Sequence, residues 1–409
     1  MNKEKFITGI DIGTSKVCCF IGKRKRPDVF DILGCGISFH DCVRKGCVID
    51  LKGASDAISK AVYKAEADSG KKVHTAFINV STPDIKGILS AGETIISDRD
   101  SEITHYDSEK VTENARAINI PYEREVLHAI HHGFTVDGEK NIVDPSGMFG
   151  FKLGAQLYLI TIKASLVENL KKAVRQSGIG VAGVVTSSIP TSMALLSEHE
   201  RQIGTILIDI GADLTEVSIY TEGLLRYIKV VPTGGDYITD SISRKFRLPE
   251  ALAERIKIED GALDQTFSDD DKLMPEADSN KKPIYKKDLQ EVLKNSYNDA
   301  FAEIKKAVYE SQIFRDAANG VVLAGGVSIV DGVAEKAEIE LGIPVRVAHI
   351  TELGACLQPL PSHVFATAAG LIKYGFKMTD KNKGFLEKGA KNIFTSFLSY
   401  AHSLYKEYF

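Results

Sequence analysis

The chain has 409 residues, of which 44% are hydrophobic and 26% charged. That balance excludes a disordered chain, and the length exceeds what one ordinary core covers, so two or more domains or one two-lobed body are expected. A net charge of -4 and a pI near 6.2 exclude bulk attraction to nucleic acid, so no nucleic-acid partner is expected and any anion site is local.

The six cysteines (Cys18, Cys19, Cys35, Cys42, Cys47 and Cys356) form no Cys-x-x-Cys pair and have no accompanying His cluster, which points to reduced thiols in a cytosol. The start, MNKEKFITGIDIG, lacks the apolar core of about 7 to 15 residues and the cleavage site of a signal peptide. No window reaches the roughly 18 uncharged apolar residues of a spanning helix, so membrane contact is expected to be peripheral.

In chain order, residues 6–22 predict two strands around a polar tip at Asp11, Gly13, Thr14 and Ser15. Leu51, Ala54, Ile58, Val62 and Ala65 recur at helical spacing and predict a helix over 50–69, followed by the strand FINVST. Residues 84–163 hold strand-like runs and one helix near 108–118, and are expected to form a separate small α+β unit. A helix over 165–177 and the Gly-rich GIGVAGVV lead back to the first lobe. At 205–220, TILIDIGADLTEVSIY repeats the opening arrangement of apolar run, Asp-Ile-Gly, polar turn and apolar strand. The acidic, breaker-rich 264–283 predicts a solvated loop, and a long helix is expected over 286–314.

Two Asp-Ile-Gly hairpins about 200 residues apart, followed by VVLAGGVSIVDG at 321–332, have a common chemistry. Small and hydroxyl residues at a hairpin tip expose backbone N–H groups that cradle phosphates, and a preceding Asp holds Mg2+ through water. Two such tips facing each other would clamp a nucleotide tail.

This order, with TGGD at 233–236 and ALAERIKIEDG at 251–261, resembles the actin, Hsp70 and sugar-kinase superfamily. Within it, VLHAIHHGFTVDGEKNIVDPSGMFGFKLGAQLYLITIK at 126–163 is similar to the inserted domain of the bacterial cell-division family FtsA, and the likeness covers about residues 6–376. The resemblance implies an actin-like two-lobed α/β fold of duplicated RNase H-like cores. The first lobe takes residues 1–83 and 164–195, with 350–376 returning to it. The inserted subdomain takes 84–163, and the second lobe 196–349 with a small subdomain at about 240–305.

By the same resemblance the chain binds ATP or ADP with Mg2+. Asp11, Gly13, Thr14, Ser15 and Lys16 form the first phosphate loop, and Asp209 and Gly211 begin the second, with Asp11 and Asp209 holding Mg2+ through water. Gly234 and Gly235 approach the phosphates, Glu254 and Lys257 lie near the ribose or base, and Gly325 and Gly326 pack against the adenosine. For any one glycine alone, an ordinary turn is an equal reading.

The departures from the family pattern carry their own expectations. The second loop reads DIGADLTE where DIGGGTTD is usual, so Asp213 adds a carboxylate that repels phosphate and weakens nucleotide binding. The stretch VVTSSIPTSMALL has no acid where the family commonly has a Glu to orient water, so ATP turnover is expected to be slow or absent.

After a polar linker at 377–384, residues 385–409 predict an amphipathic helix. Leu386, Ile393, Phe394, Phe397, Leu398 and Leu404 fall on its apolar face, with Lys388 and Lys391 opposite. That pattern suits a helix lying in an anionic membrane interface, and FtsA-type chains end this way. A helix docked on the body or in a partner's groove would look similar.

The resemblance further implies self-assembly into a filament and attachment of the tubulin-like protein FtsZ to the membrane at the division site, with other division proteins recruited. The FtsZ C-terminal tail is expected at Tyr285, Lys286, Lys287 and Lys294, although Asn295 and Ser296 stand where the family has Pro-Arg. The rival readings are a small-molecule kinase of the same superfamily and a pilus-assembly scaffold of the PilM type.

Overall fold

A computed structural model describes residues 6–26, 29–96, 102–273, 283–350 and 362–387, with the side chains of 362 and 381–387 excepted. Two lobes are built on sheets of the same plan. In the first, β1 (Phe6–Ile12), β2 (Lys16–Arg26) and β3 (Val29–Phe39) form an antiparallel meander. The small pair β4 (Val43–Arg44) and β5 (Cys47–Val48) and helix α1 (Leu51–Ser69) lead to β6 (Thr75–Val80), which pairs parallel to β1.

Helix α1 starts where Asp50 accepts from the Lys52 amide at 3.0 Å and stops at Gly70, whose φ of 64° reverses the chain. Its Ala54, Ile58, Ala61, Val62 and Ala65 are buried, matching the spacing read from the sequence.

The inserted unit follows β6. Strands β7 (Lys86–Ile95), β8 (Arg124–Val136), β9 (Glu139–Ile142) and β10 (Lys152–Lys163) form an antiparallel sheet in the order β7-β10-β8-β9, with α2 (His105–Arg116) between β7 and β8. Thr104 and Asp107 make a reciprocal capping box, which starts α2 three residues before the expected 108. The chain returns through α3 (Ala164–Gln176) to β11 (Gly180–Thr186), completing a first-lobe sheet of order β11-β6-β1-β2-β3.

Helices α4 (Ser188–Leu195) and α5 (Glu198–Ile203) cross to the second lobe. There β12 (Thr205–Ile210), β13 (Thr215–Thr221) and β14 (Leu224–Val231) form the second meander. Helices α6 (Gly235–Phe246) and α7 (Glu250–Asp260), strands β15 (Lys272–Leu273) and β16 (Ile284–Tyr285) and the long α8 (Lys286–Glu310) follow. Then β17 (Val321–Ala324), α9 (Val333–Leu341) and β18 (Val345–Val347) close a sheet of order β14-β13-β12-β17-β18. Read outward from the first strand of each lobe, the two orders are identical. The duplicated two-lobed architecture expected from the resemblance is therefore present.

Three expectations are corrected. Helix α8 ends at Glu310, not 314, because Gln312 takes φ 60° and breaks the ladder before a short 3-10 turn at Phe314–Asp316. Within the predicted loop 264–283, Lys272 and Leu273 pair with Tyr285 and Ile284; residues 274–282 lie outside the described residues. The predicted linker 377–384 is helical: α10 (Ala366–Glu387) passes through it without a break. Phe376 and Met378 are buried, and Asp380 pairs with Arg24 at 2.5 Å, so this part of α10 docks on the first lobe.

The insert is not free-standing. At its root, the Asp84 carboxylate accepts from Arg124 Nη1 at 2.9 Å and from the Lys163 amide at 2.8 Å. Arg124 Nη2 donates to the Asp84 and Thr161 carbonyls at 2.8 and 2.9 Å, so one pair of side chains pins β8 and β10 to the start of the unit. Farther out, the Tyr158 hydroxyl accepts from the Ile228 amide at 3.0 Å and His132 Nε2 bonds the Leu225 carbonyl at 3.0 Å, joining the sheet to β14. His128 Nε2 accepts from the Thr186 amide at 3.1 Å.

Replacing Asp84 by Ala strands the nearly buried Arg124 guanidinium, and should lower unfolding stability by about 3 kcal/mol in urea titration. Burial lowers the pKa of His128 to about 3 and of His131 and His132 to about 4, from an ordinary 6.5. The folded chain thus excludes protons that the unfolded chain binds. Stability should be full above pH 6.5 and fall as pH drops toward 4. In His132→Gln that slope should be shallower by about 1.4 kcal/mol per pH unit near the middle of the window.

Candidate functional site

The two hairpin tips are built alike. Gly13 donates its amide to the Lys16 carbonyl at 3.0 Å, and Gly211 donates its amide to the Leu214 carbonyl at 2.9 Å, each closing a four-residue turn between paired strands. Asp11 and Asp209 precede the tips at equivalent positions.

The first loop is anchored from the side: the Ser15 carbonyl accepts from the His40 amide at 3.1 Å. The second is anchored to the start of α6, where the Gly235 amide bonds the Gly211 carbonyl at 2.9 Å and the Asp236 amide bonds the Ala212 carbonyl at 2.7 Å. Gly234 has no room for a side chain, since a Cβ there would lie 2.5 Å from the Ala212 carbonyl oxygen. Gly325 has φ 86°, and a Cβ on it would lie 2.6 Å from an Asp209 carboxylate oxygen. Gly326 faces open space. Thus Gly234, Gly235 and Gly325 are brought against the second hairpin.

Asp11 accepts from Asn79 Nδ2 at 2.7 Å, while Asn79 Oδ1 accepts from the Ile12 amide at 2.7 Å and its Nδ2 also reaches Ser187 Oγ at 3.0 Å. Loss of water raises the Asp11 pKa to about 6, against the opposing pull of Lys16 and Asn79. For Asp209 the same burial, reinforced by the charges of Glu216 and Asp11, raises it to about 7. Lys16 spreads its ammonium 4.6 Å from the centre of the Phe365 ring, which keeps it at the edge of this cluster.

Two hard carboxylates that lack a full compensating charge are a donor set for a hydrated divalent cation such as Mg2+. Among the described residues no group of three or more His, Cys, Asp or Glu side chains is arranged to hold a metal ion.

Glu254 and Lys257 meet on α7 at 2.6 Å. The buried Lys257 ammonium also donates to the Gly235 carbonyl at 3.1 Å and to Thr239 Oγ1 at 2.8 Å. Both therefore stand beside the glycine pair that follows the second hairpin.

Two residues were missed. Asn79 orients Asp11, and its signal was a lone amide inside the apolar FINV. Glu216 is buried, takes a hydrogen bond from Ser188 Oγ and lies directly across the β-ladder from Asp209. Its signal was the hairpin register itself, because a four-residue tip puts 216 opposite 209. Glu216 also supplies, from β13, a carboxylate to the VVTSSIP segment that has none of its own; burial raises its pKa.

The side chains expected to meet the FtsZ tail are partly engaged internally. Lys287 pairs with Asp269 at 2.5 Å, Lys286 lies over the Phe267 ring and Tyr285 lies under Lys272, while Lys294 is exposed. Ser296 is buried and bonds the Val292 carbonyl at 2.9 Å. Of the membrane-facing set, Leu386 falls at the end of α10, and Lys388, Lys391, Ile393, Phe394, Phe397, Leu398 and Leu404 lie outside the described residues.

Comparison with known proteins bears directly on this arrangement. Residues 83–161 match the model of the SHS2 domain inserted in FTSA, and residues 206–370 match that of cell division protein FtsA. The chain is 30% identical over 386 residues to cell division protein FtsA of Pseudomonas aeruginosa, covering 91% of this chain and 90% of that one. The chain belongs to the FtsA family of cell division proteins.

The FtsA of Borreliella burgdorferi is likewise 30% identical over 385 residues, covering 93% of both chains. Among solved structures, the PilM-PilN type IV pilus biogenesis complex aligns with TM-score 0.65 at 16% identity, covering 91% of this chain and 99% of that one. MreB5 of Spiroplasma citri bound to AMPPNP aligns with TM-score 0.54 at 12% identity, covering 95% and 100%. These structural likenesses establish the actin-like fold. Among the described residues of this FtsA-family chain, no helix is long and apolar enough to cross a membrane.

Because the folded pKa of Asp209 lies well above the ordinary 3.8, ionising it costs stability that is intact below pH 4 and lost as pH rises through 7. Asp209→Asn should therefore raise the thermal midpoint by a few degrees at pH 8, by less at pH 5 and hardly at all below pH 4. Mg2+ should raise the midpoint of the unmodified chain more at pH 8 than at pH 6, an increment the variant loses.

Proposed function

We propose that this FtsA-family chain is a nucleotide-gated, self-assembling adaptor that tethers FtsZ filaments to the cytoplasmic face of the membrane at the division site and helps recruit other division proteins. The observation that carries this reading is the pair of glycine-closed hairpins, one in each lobe, in a chain that also contains the FtsA-specific insert. Nucleotide, ATP or ADP with Mg2+, would lie between the tips, its phosphates against Gly13, Thr14, Ser15 and Gly211 and its metal on water held by Asp11 and Asp209. Lys16 would supply countercharge, Gly234 and Gly235 would approach the phosphates, Glu254 and Lys257 would face the ribose or base, and Gly325 and Gly326 would pack on the adenosine. The AMPPNP carried by the structurally similar MreB5 supports a nucleotide in this fold.

Turnover is slow in this reading, since Glu216, the carboxylate that reaches the VVTSSIP segment, is buried and accepts from Ser188. Attachment to the membrane would come from the amphipathic segment 385–409, with burial of Phe394, Phe397 and their apolar neighbours contributing more than the charge of Lys388 and Lys391. The FtsZ tail would meet Lys286 and Lys294 near Tyr285, with Lys287 available once released from Asp269. Membership of the FtsA family sets the kinase and PilM-type readings aside.

The test is sedimentation with anionic liposomes, with and without ATP and Mg2+, comparing the full chain with a truncation after Glu387, which keeps all of α10. Pelleting of the full chain alone is the expected outcome. Equal behaviour of the two would remove the tail from the mechanism.

A further inference from the structure

Asp213 joins the two phosphate loops directly. Its carboxylate belongs to the tip of the second hairpin, yet both of its oxygens are engaged by the first lobe. One accepts from the Thr14 hydroxyl, at the tip of the first hairpin, and the other accepts from the Lys45 backbone amide at 2.5 Å. These partners are 199 and 168 residues away in sequence, and they come from separate loops of the first lobe.

The donors are presented by fixed backbone. Lys45 and Gly46 take φ of 46° and 73° in the turn between β4 and β5, and a Cβ on Gly46 would run into the Ser81 carbonyl, so this turn packs closely against the chain after β6. The first tip is held by His40 and the second by the first amides of α6. With both backbones anchored, the Asp213 side chain, which turns about two bonds, is the adjustable part.

A hydroxyl at a hairpin tip and an amide on a left-handed turn are the kind of donors that hold phosphate oxygens. We infer that the Asp213 carboxylate is an internal anion that occupies the Thr14 hydroxyl of the first loop and the Lys45 amide of the β4–β5 turn, latches the lobes together without nucleotide, and must swing away before a nucleoside triphosphate can engage Thr14. This rests on the nucleotide-binding reading above and goes beyond simple repulsion. Repulsion only weakens binding, whereas a latch also makes nucleotide exchange one anion for another on the same donors. Asp236, whose pKa is raised to about 6 by burial and then by the charge of Asp213, faces the same place, so a released Asp213 is not drawn toward α6.

The experiment uses the full chain in three forms: unmodified, Asp213→Ala and Asp213→Asn. Affinity for ATP with Mg2+ is measured by titration, and amide exchange at Lys45 is measured without nucleotide. Asp213→Ala should bind ATP about tenfold tighter, since a unit charge next to phosphate is removed. Its Lys45 amide should exchange faster because the acceptor is gone. Asp213→Asn keeps an acceptor without the charge, so it should gain affinity while its Lys45 amide stays largely protected, and it guards against misfolding of the Ala variant.

If all three forms bind ATP equally, competition is overturned while the nucleotide reading stands. If none binds ATP, the nucleotide reading fails and the competition fails with it. If Lys45 exchange is the same in Asp213→Ala as in the unmodified chain, there is no latch, whatever the affinities.

Discussion

Three carboxyl groups, Asp11, Asp209 and Glu216, are gathered where little water reaches them, and the centre of the molecule is organised around that constraint. Hydrogen bonds from Asn79 and Ser188 offset part of the cost, and Lys16 contributes charge from the edge. What remains shows as an Asp11 and an Asp209 that hold their protons toward neutral pH, and as a Glu216 whose pKa burial raises. Such an arrangement is hard to explain as a means of stabilising a fold. Clusters of perturbed carboxyls of this kind concentrate at functional sites.

The two lobes repeat one plan but not one chemistry. Their sheets share a strand order, and their first hairpins close with the same amide-to-carbonyl bond. The first tip carries Thr14, Ser15 and Lys16, two hydroxyls and an ammonium, of which Thr14 donates to Asp213. The second carries Ala212, Asp213 and Leu214, of which Leu214 is buried and Asp213 is itself an anion. Duplication therefore sets where the tips lie, and the divergence of three side chains makes one of them reach for the other.

The insert shows how a unit added to a fold becomes part of it. The Asp84 and Arg124 pair fixes its root, while Tyr158 and His132, stacked with ring centres 5.7 Å apart, hydrogen-bond the backbone of the opposite lobe, Tyr158 accepting from the Ile228 amide. The imidazoles are neutral because they are buried, so the joint between insert and lobe is built from uncharged polar groups.

Much of this was legible from the residues in order. Local patterns determined the hairpins, the helix over 51–69 and the small α+β unit, because alternation, helical spacing and glycine turns act between near neighbours. Family likeness singled out Asp11, Asp209, Gly234, Gly235 and Gly325 as candidates. Tertiary structure alone decided that Glu216 serves the Pro190 segment, that residues 377–380 dock on the first lobe where a polar composition suggested a linker, and that Asp213 meets Thr14. Each of those depends on which surfaces face one another after the lobes close. A carboxylate reads the same in sequence whether its neighbour is water, a serine or a phosphate loop 199 residues away; only packing sets that neighbour, and the neighbour sets what the group does.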